Sequence, residues 1–92
     1  MVLFRWIEWN IEKIAKHGIA IGEVERVVRL AARPYPRRIG KGKWQVIGRG
    51  QGDRWVQVIY VVDPDDRLFV IHAMPLTGRR RRGRMKRKWK NQ

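Results

Sequence analysis

Only two side chains of this 92-residue chain, His17 and His72, are expected to exchange a proton near neutral pH without help from their surroundings. Arginines neutralise a phosphate through bidentate contacts, and Arg49 and Arg54 are candidates for that role. This combination suits metal-free RNA cleavage, because the 2′-hydroxyl attacks its own phosphate and needs only orientation, charge neutralisation and proton transfer. The predicted catalytic residues are therefore His17, His72, Arg49 and Arg54.

The same residues also have simpler interpretations. A histidine at a helix end can satisfy carbonyl groups, and a histidine in a strand is usually half-buried and hydrogen-bonded. The same histidines and arginines would equally serve a protein that binds nucleic acid without cleaving it. Other chemistries are excluded, because a chain without Cys or Ser has no thiol nucleophile and no serine triad. Two histidines without metal-ligand spacing predict no metal site, and we expect no cofactor.

The charge balance predicts a polyanionic partner. Lys and Arg number 22 against eight Asp and Glu, which leaves a net charge of +14. Residues 79–90 hold nine of these basic residues and no acid, so residues 1–78 carry +5. Such a field attracts nucleic acid, whose phosphates release counterions when they are neutralised. A membrane partner is not expected, because the basic segment has no apolar face. The predicted nucleic-acid-binding residues are Lys16, Arg37, Arg38, Lys41, Lys43, Arg79, Arg80, Arg81, Arg82, Arg84, Lys86, Arg87 and Lys88.

Two helices are expected in the first third of the chain. Apolar residues recur at helical spacing over residues 7–15 and again over residues 24–31. Gly18 can supply the left-handed residue that ends the first helix. The second helix should end at residues 33–36, where two prolines disfavour helical geometry in the residues before them.

From residue 43 onwards the pattern changes to that of strands. Residues 43–48, 54–63 and 68–74 are rich in β-branched and aromatic residues and are separated by Gly-rich and Asp-Pro turns. Short turns between successive strands predict an antiparallel meander, and residues 3–6 can add a short edge strand.

Helices followed by strands predict an α+β domain over residues 1–78. We expect two N-terminal helices packed on one face of a three- to four-stranded antiparallel sheet. Residues 79–92 should form a basic C-terminal segment, either a helix or a tail. Strict alternation along the last strand places His72 in the same row as Leu68, Val70 and Met74.

Several short motifs extend over nearly the whole chain. They are Trp6-x-x-Trp9-Asn10, Ile14-Ala15-Lys16-His17-Gly18-Ile19, Glu23-Val24-x-x-Val27-Val28, Gly48-Arg49-Gly50, residues 56–63, and residues 70–77 with the basic run from Arg79. In these motifs the chain resembles the BrnT-type toxins of BrnT/BrnA type II toxin–antitoxin pairs, which are similar in fold to the RelE-like ribonucleases.

This resemblance implies a compact α+β toxin that cleaves RNA and thereby arrests translation. It also implies a small acidic antitoxin that covers the active surface, and contact with DNA through the toxin–antitoxin complex. By position, Lys16, His17, Arg49, Arg54 and the end of the third predicted strand would face the substrate.

Two other interpretations stay open. One is a non-catalytic nucleic-acid-binding protein, which could read DNA through its two helices or bind RNA through its basic surface. The other is an interaction domain for an acidic partner. No apolar run is long enough to cross a membrane, and the N-terminus does not resemble a signal peptide, so a cytoplasmic location is expected.

Overall fold

A computed structural model describes residues 2–76. The predicted basic segment 79–92 and its candidate binding residues lie outside the described residues. The elements are β1 (Phe4–Arg5), α1 (Glu8–Ala15), α2 (Ile21–Arg29), β2 (Arg37–Gly40), β3 (Lys43–Arg49), β4 (Trp55–Val62) and β5 (Leu68–Leu76), with a 3-10 turn at Gln51–Asp53.

The strands form one mixed sheet in the order β1-β5-β4-β3-β2. Strands β2 to β5 pair antiparallel, whereas β1 pairs parallel with β5. The α+β class and the two helices are confirmed, but the prediction of three to four antiparallel strands was wrong. The sheet has five strands, because Arg37–Gly40 forms an exposed edge strand although Ile39 is its only apolar side chain. A strand exposed on both faces has no amphipathic pattern by which the sequence could reveal it.

Helix α2 and one face of the sheet enclose the hydrophobic core. Side chains alternate along each strand, so Val46, Val58 and Val70 lie on this core face and are fully buried. Val24 and Val27 of α2 pack against them. We call the opposite side the outer face; its cross-strand pairs include Gln57↔Met74, Ile59↔His72 and Val61↔Phe69. Within residues 2–76, neither helix packs over the middle of the outer face.

Helix α1 lies along the β5 side of the sheet rather than beside α2. Its buried Asn10 donates a hydrogen bond of 3.2 Å to the carbonyl oxygen of Val70. Its Ile14 enters the core, while Trp9 stacks on Phe69 of the outer face. The expectation that both helices cover one face was therefore wrong for α1. The helices have eight and nine residues, and neither is long and apolar enough to cross a membrane.

A bulge in β5 changes the face on which His72 lies. Ile59 pairs with His72 and the next residue, Tyr60, pairs with Val70, so Ile71 is the extra residue. One extra residue inverts the alternation beyond it. His72 consequently lies on the outer face with Met74, opposite Leu68 and Val70, so the predicted common row was right for Met74 and wrong for Leu68 and Val70.

Candidate active site

The two histidines, which are far apart in the sequence, are neighbours in the structure. The ring centroids of His17 and His72 are 6.0 Å apart, and their planes meet at 67°. His17 is exposed in the turn after α1, and His72 is half-buried on the outer face of β5. The pair therefore lies where α1 meets the outer face, and a ligand on that face can reach both rings.

Burial lowers the pKa of His72 below the ordinary histidine value. The positive charges of His17 and Lys13 lower this pKa further. The imidazole of His72 is therefore neutral at pH 7, and its unprotonated nitrogen can accept a proton.

Helix α1 also brings a lysine to the pair. Trp9, Lys13 and His17 are spaced by four residues and form one stripe of the helix and its terminal turn. The Trp9 ring stacks on Phe69 at 5.9 Å, and the Lys13 ammonium lies 5.2 Å from the Trp9 centroid. Lys13 was not among the predicted site residues, although its four-residue spacing from His17 was a usable signal.

The turn that carries Lys16 and His17 has defined backbone geometry. Gly18 adopts φ +73°, and the amide of Ile19 donates to the carbonyl of Ile14 at 3.1 Å. The positive φ confirms the predicted role of Gly18 as the residue that ends the helix. Lys16 is exposed and forms no ion pair within residues 2–76.

Arg54 bonds to the end of the turn that carries Lys16 and His17. Its guanidinium donates 2.9 Å hydrogen bonds to the carbonyl of Gly18 and to the carboxylate of Glu23. Glu23 is buried and also accepts a 2.8 Å bond from the amide of Gln51. Bonding to Arg54 lowers the pKa of Glu23 despite burial, so the pair is ionised. Arg54 therefore links the turn that carries His17 to the buried carboxylate of Glu23.

Arg49 lies on the outer face but away from the imidazoles. It forms an ion pair with Asp53, and its guanidinium lies 4.4 Å from the Trp55 centroid. Trp55 precedes Ile59, the partner of His72, by four residues, or about 13 Å along the strand. Arg49 therefore lies along the outer face from the two imidazoles rather than beside them.

The other predicted cations are divided between the faces. Arg37 and Lys43 lie on the outer face by register, and Arg37 donates a 3.2 Å bond to Gln45. Arg38 pairs with Trp44 and lies on the other side of β2, while Lys41 is in the β2–β3 turn. The outer face therefore carries cations on both its β2–β3 side and its α1 side.

Among the residues that the structure describes, no three His, Asp or Glu side chains cluster as metal ligands would. Comparisons with protein-family models, curated proteins and solved structures found no match. Function is therefore inferred from the geometry of the site and from the motifs in the sequence.

Proposed function

We propose that the protein is a BrnT-like endoribonuclease that cleaves RNA without a metal ion. The observation that carries the proposal is the contact between His17 and His72, the two side chains that the sequence offers for proton transfer. The motif resemblance and the α+β architecture support a RelE-like fold for this toxin.

In the proposed reaction, His72 accepts the proton of the RNA 2′-hydroxyl, whose oxygen then forms a bond to phosphorus. The bond from phosphorus to the 5′-oxygen breaks, and protonated His17 gives its proton to that leaving oxygen. Each ring nitrogen needs to lie within about 3 Å of its oxygen, and these oxygens stand on opposite sides of one phosphorus. Because the ring centroids are 6.0 Å apart, both imidazoles would approach the phosphate from the same side, each directing one nitrogen to its own oxygen.

Cations near the pair would stabilise the charge that develops on the phosphate. Lys13 is close enough to lower the pKa of His72, and Lys16 precedes His17 in the same turn. Arg37, Lys43 and Arg49 would contact flanking phosphates along the outer face. A small acidic antitoxin would neutralise this surface, DNA would be contacted through that complex, and the protein would act in the cytoplasm.

A second candidate is a nucleic-acid-binding protein without catalysis. It is favoured by the spread of the outer-face cations, which reach across the sheet from α1 to β2. DNA reading by α2 has less support, since the apolar stripe of α2 packs on the sheet and Arg29 is bonded to Glu25.

Single-turnover cleavage of an oligoribonucleotide in EDTA tests the proposal. His17→Gln and His72→Gln should each lower the cleavage rate by about 10²–10⁴-fold, because each removes one proton-transfer group. RNA affinity, measured by fluorescence anisotropy, should change by less than about threefold, because neither variant removes a lysine or arginine that neutralises phosphate.

Lys41→Gln is the matched control, since it removes a cation from the β2–β3 turn. It should weaken RNA binding slightly without slowing the bound reaction. RNA that is bound tightly but never cleaved would contradict the endoribonuclease and support the binding protein. Cleavage at the wild-type rate by both histidine variants would also contradict the proposed mechanism.

A further inference from the structure

The far side of the sheet from the imidazoles has a strand edge without a partner. Strand β2 pairs with β3 only at Lys43, Trp44 and Gln45. Residues 46–49 of β3 continue the strand with β4 on one side. Within residues 2–76, no other strand covers their second side.

The backbone groups of Ile47 and Arg49 point toward this edge. The amide of Gly50 donates to the carbonyl of Arg54 at 2.7 Å, so the groups of Gly50 face β4. Backbone groups alternate along an antiparallel strand, which directs those of Ile47 and Arg49 away from β4. In the described part of the chain, no turn or loop backbone group bonds to either residue. Exposed groups of this kind are a template for an added strand.

A groove of about 420 Å³ opens beside this edge. Its apolar lining includes Leu30, Ala31 and Tyr35 from the segment that ends α2 and follows it. Arg26 and Arg33 also line the groove, are exposed, and form no ion pair within residues 2–76. The groove thus combines an open hydrogen-bonding edge, an apolar wall and two uncompensated charges.

We propose that an extended acidic segment of a partner protein binds here as a further strand beside β3. A peptide backbone offers the alternating donors and acceptors that Ile47 and Arg49 require, and its acidic side chains would meet Arg26 and Arg33. A second copy of this chain is disfavoured, because it would bring the same arginines together. The inference does not depend on RNA cleavage, which we assign to the β5 side of the sheet.

The test uses the full chain and an acetylated, amidated peptide of sequence Asp-Leu-Glu-Val-Asp-Leu-Glu. Amide hydrogen exchange at Ile47 and Arg49 should slow at least about tenfold on binding, because both amides gain acceptors. The double variant Arg26→Glu/Arg33→Glu should lose at least about tenfold in affinity by NMR titration. The same peptide with its alternate amides N-methylated should not protect these residues, because it cannot form the ladder.

The matched control is Arg38→Glu/Lys41→Glu, which makes the same charge change outside the groove. It should keep the affinity of the wild type within about threefold. Equal losses in the two double variants would overturn the proposal in favour of non-specific charge attraction. Unchanged exchange at Ile47 and Arg49 would overturn it too. If both amides are already protected in a dimer of the free protein, a second copy occupies the edge and the proposal is wrong.

Discussion

Replacement of Arg54 by alanine tests the assignment of this residue to the His17 turn. The variant leaves the carboxylate of Glu23 buried with only the amide of Gln51 as partner. It also removes the 2.9 Å bond to the carbonyl of Gly18. We therefore expect both a loss of stability and a displaced imidazole.

The magnitude follows from the burial of the two partners. Removing one partner of a fully buried ion pair costs about 3–5 kcal/mol. The side chain of Glu23 is 3% exposed but that of Arg54 is 37% exposed, so water compensates part of the loss. We expect a decrease of about 2–3 kcal/mol in the free energy of unfolding, or roughly 8–24 °C in Tm for a chain of this length.

Urea unfolding, followed by tryptophan fluorescence at pH 7 and pH 4, is the assay. In the wild type the pKa of Glu23 is lowered, so its contribution is present above the ordinary glutamate pKa and lost as pH falls. In Arg54→Ala the carboxylate of Glu23 is buried without its arginine partner, which raises its pKa. Acid therefore protonates this carboxylate and removes the cost of burying its charge. The difference between the two proteins should therefore shrink as pH falls from 7 to 4.

Arg67→Ala is the matched control, because the Arg67–Asp65 ion pair is 41% and 56% exposed. Its effect on the free energy of unfolding should be much smaller than that of Arg54→Ala, because water screens an exposed ion pair. If Arg54→Ala is no more destabilising than Arg67→Ala, or if its deficit grows in acid, the reasoning about the buried carboxylate is refuted.

Three further perturbations have defined outcomes in thermal or urea unfolding. Gly50→Ala should lower the free energy of unfolding by about 1–3 kcal/mol, because the added Cβ would lie 2.9 Å from a Val56 methyl and against the buried carboxylate of Glu23. Gly22→Ala is its control, because a Cβ added there meets open space and should not destabilise the protein. Asn10→Ala should lower the free energy of unfolding by about 2–4 kcal/mol, seen as a lower Tm, because the buried Asn10 side chain bonds to backbone groups of three residues. The pKa of His72 is lowered in the folded protein, so the unfolded chain binds a proton at this imidazole more readily. The free energy of unfolding should therefore fall from pH 7 to pH 5, and His72→Phe should make it less dependent on pH over this range.

The sequence predicted the elements with strong periodicity and missed those without it. The patterns from residue 43 onwards predicted β3, β4 and β5 within two residues at each end. The four residues of β2 have no amphipathic pattern, so their pairing with β3 could not be foreseen. The parallel pairing of β1 depends on how the chain passes from Arg5 through both helices, which local patterns do not encode.

The candidate site was predictable in its residue types but not in its geometry. Titration chemistry identified His17 and His72, yet their contact depends on the bulge at Ile71, which no local signal revealed. The pairing of Arg54 with Glu23 joins two distant segments and likewise required the structure. Lys13 could have been found from its spacing to His17 on α1.

The central claim is that the two imidazoles transfer the protons of an RNA transesterification. It is tested most directly by cleavage in EDTA of two oligonucleotides, one entirely ribose and one with a single 2′-deoxyribose at the nucleotide that is cleaved. The proposed mechanism predicts a 2′,3′-cyclic phosphate end from the first and no cleavage of the second at that position. Cleavage of the deoxy-substituted strand at the same position would contradict it. So would the finding that both oligonucleotides bind with equal affinity and neither is cleaved.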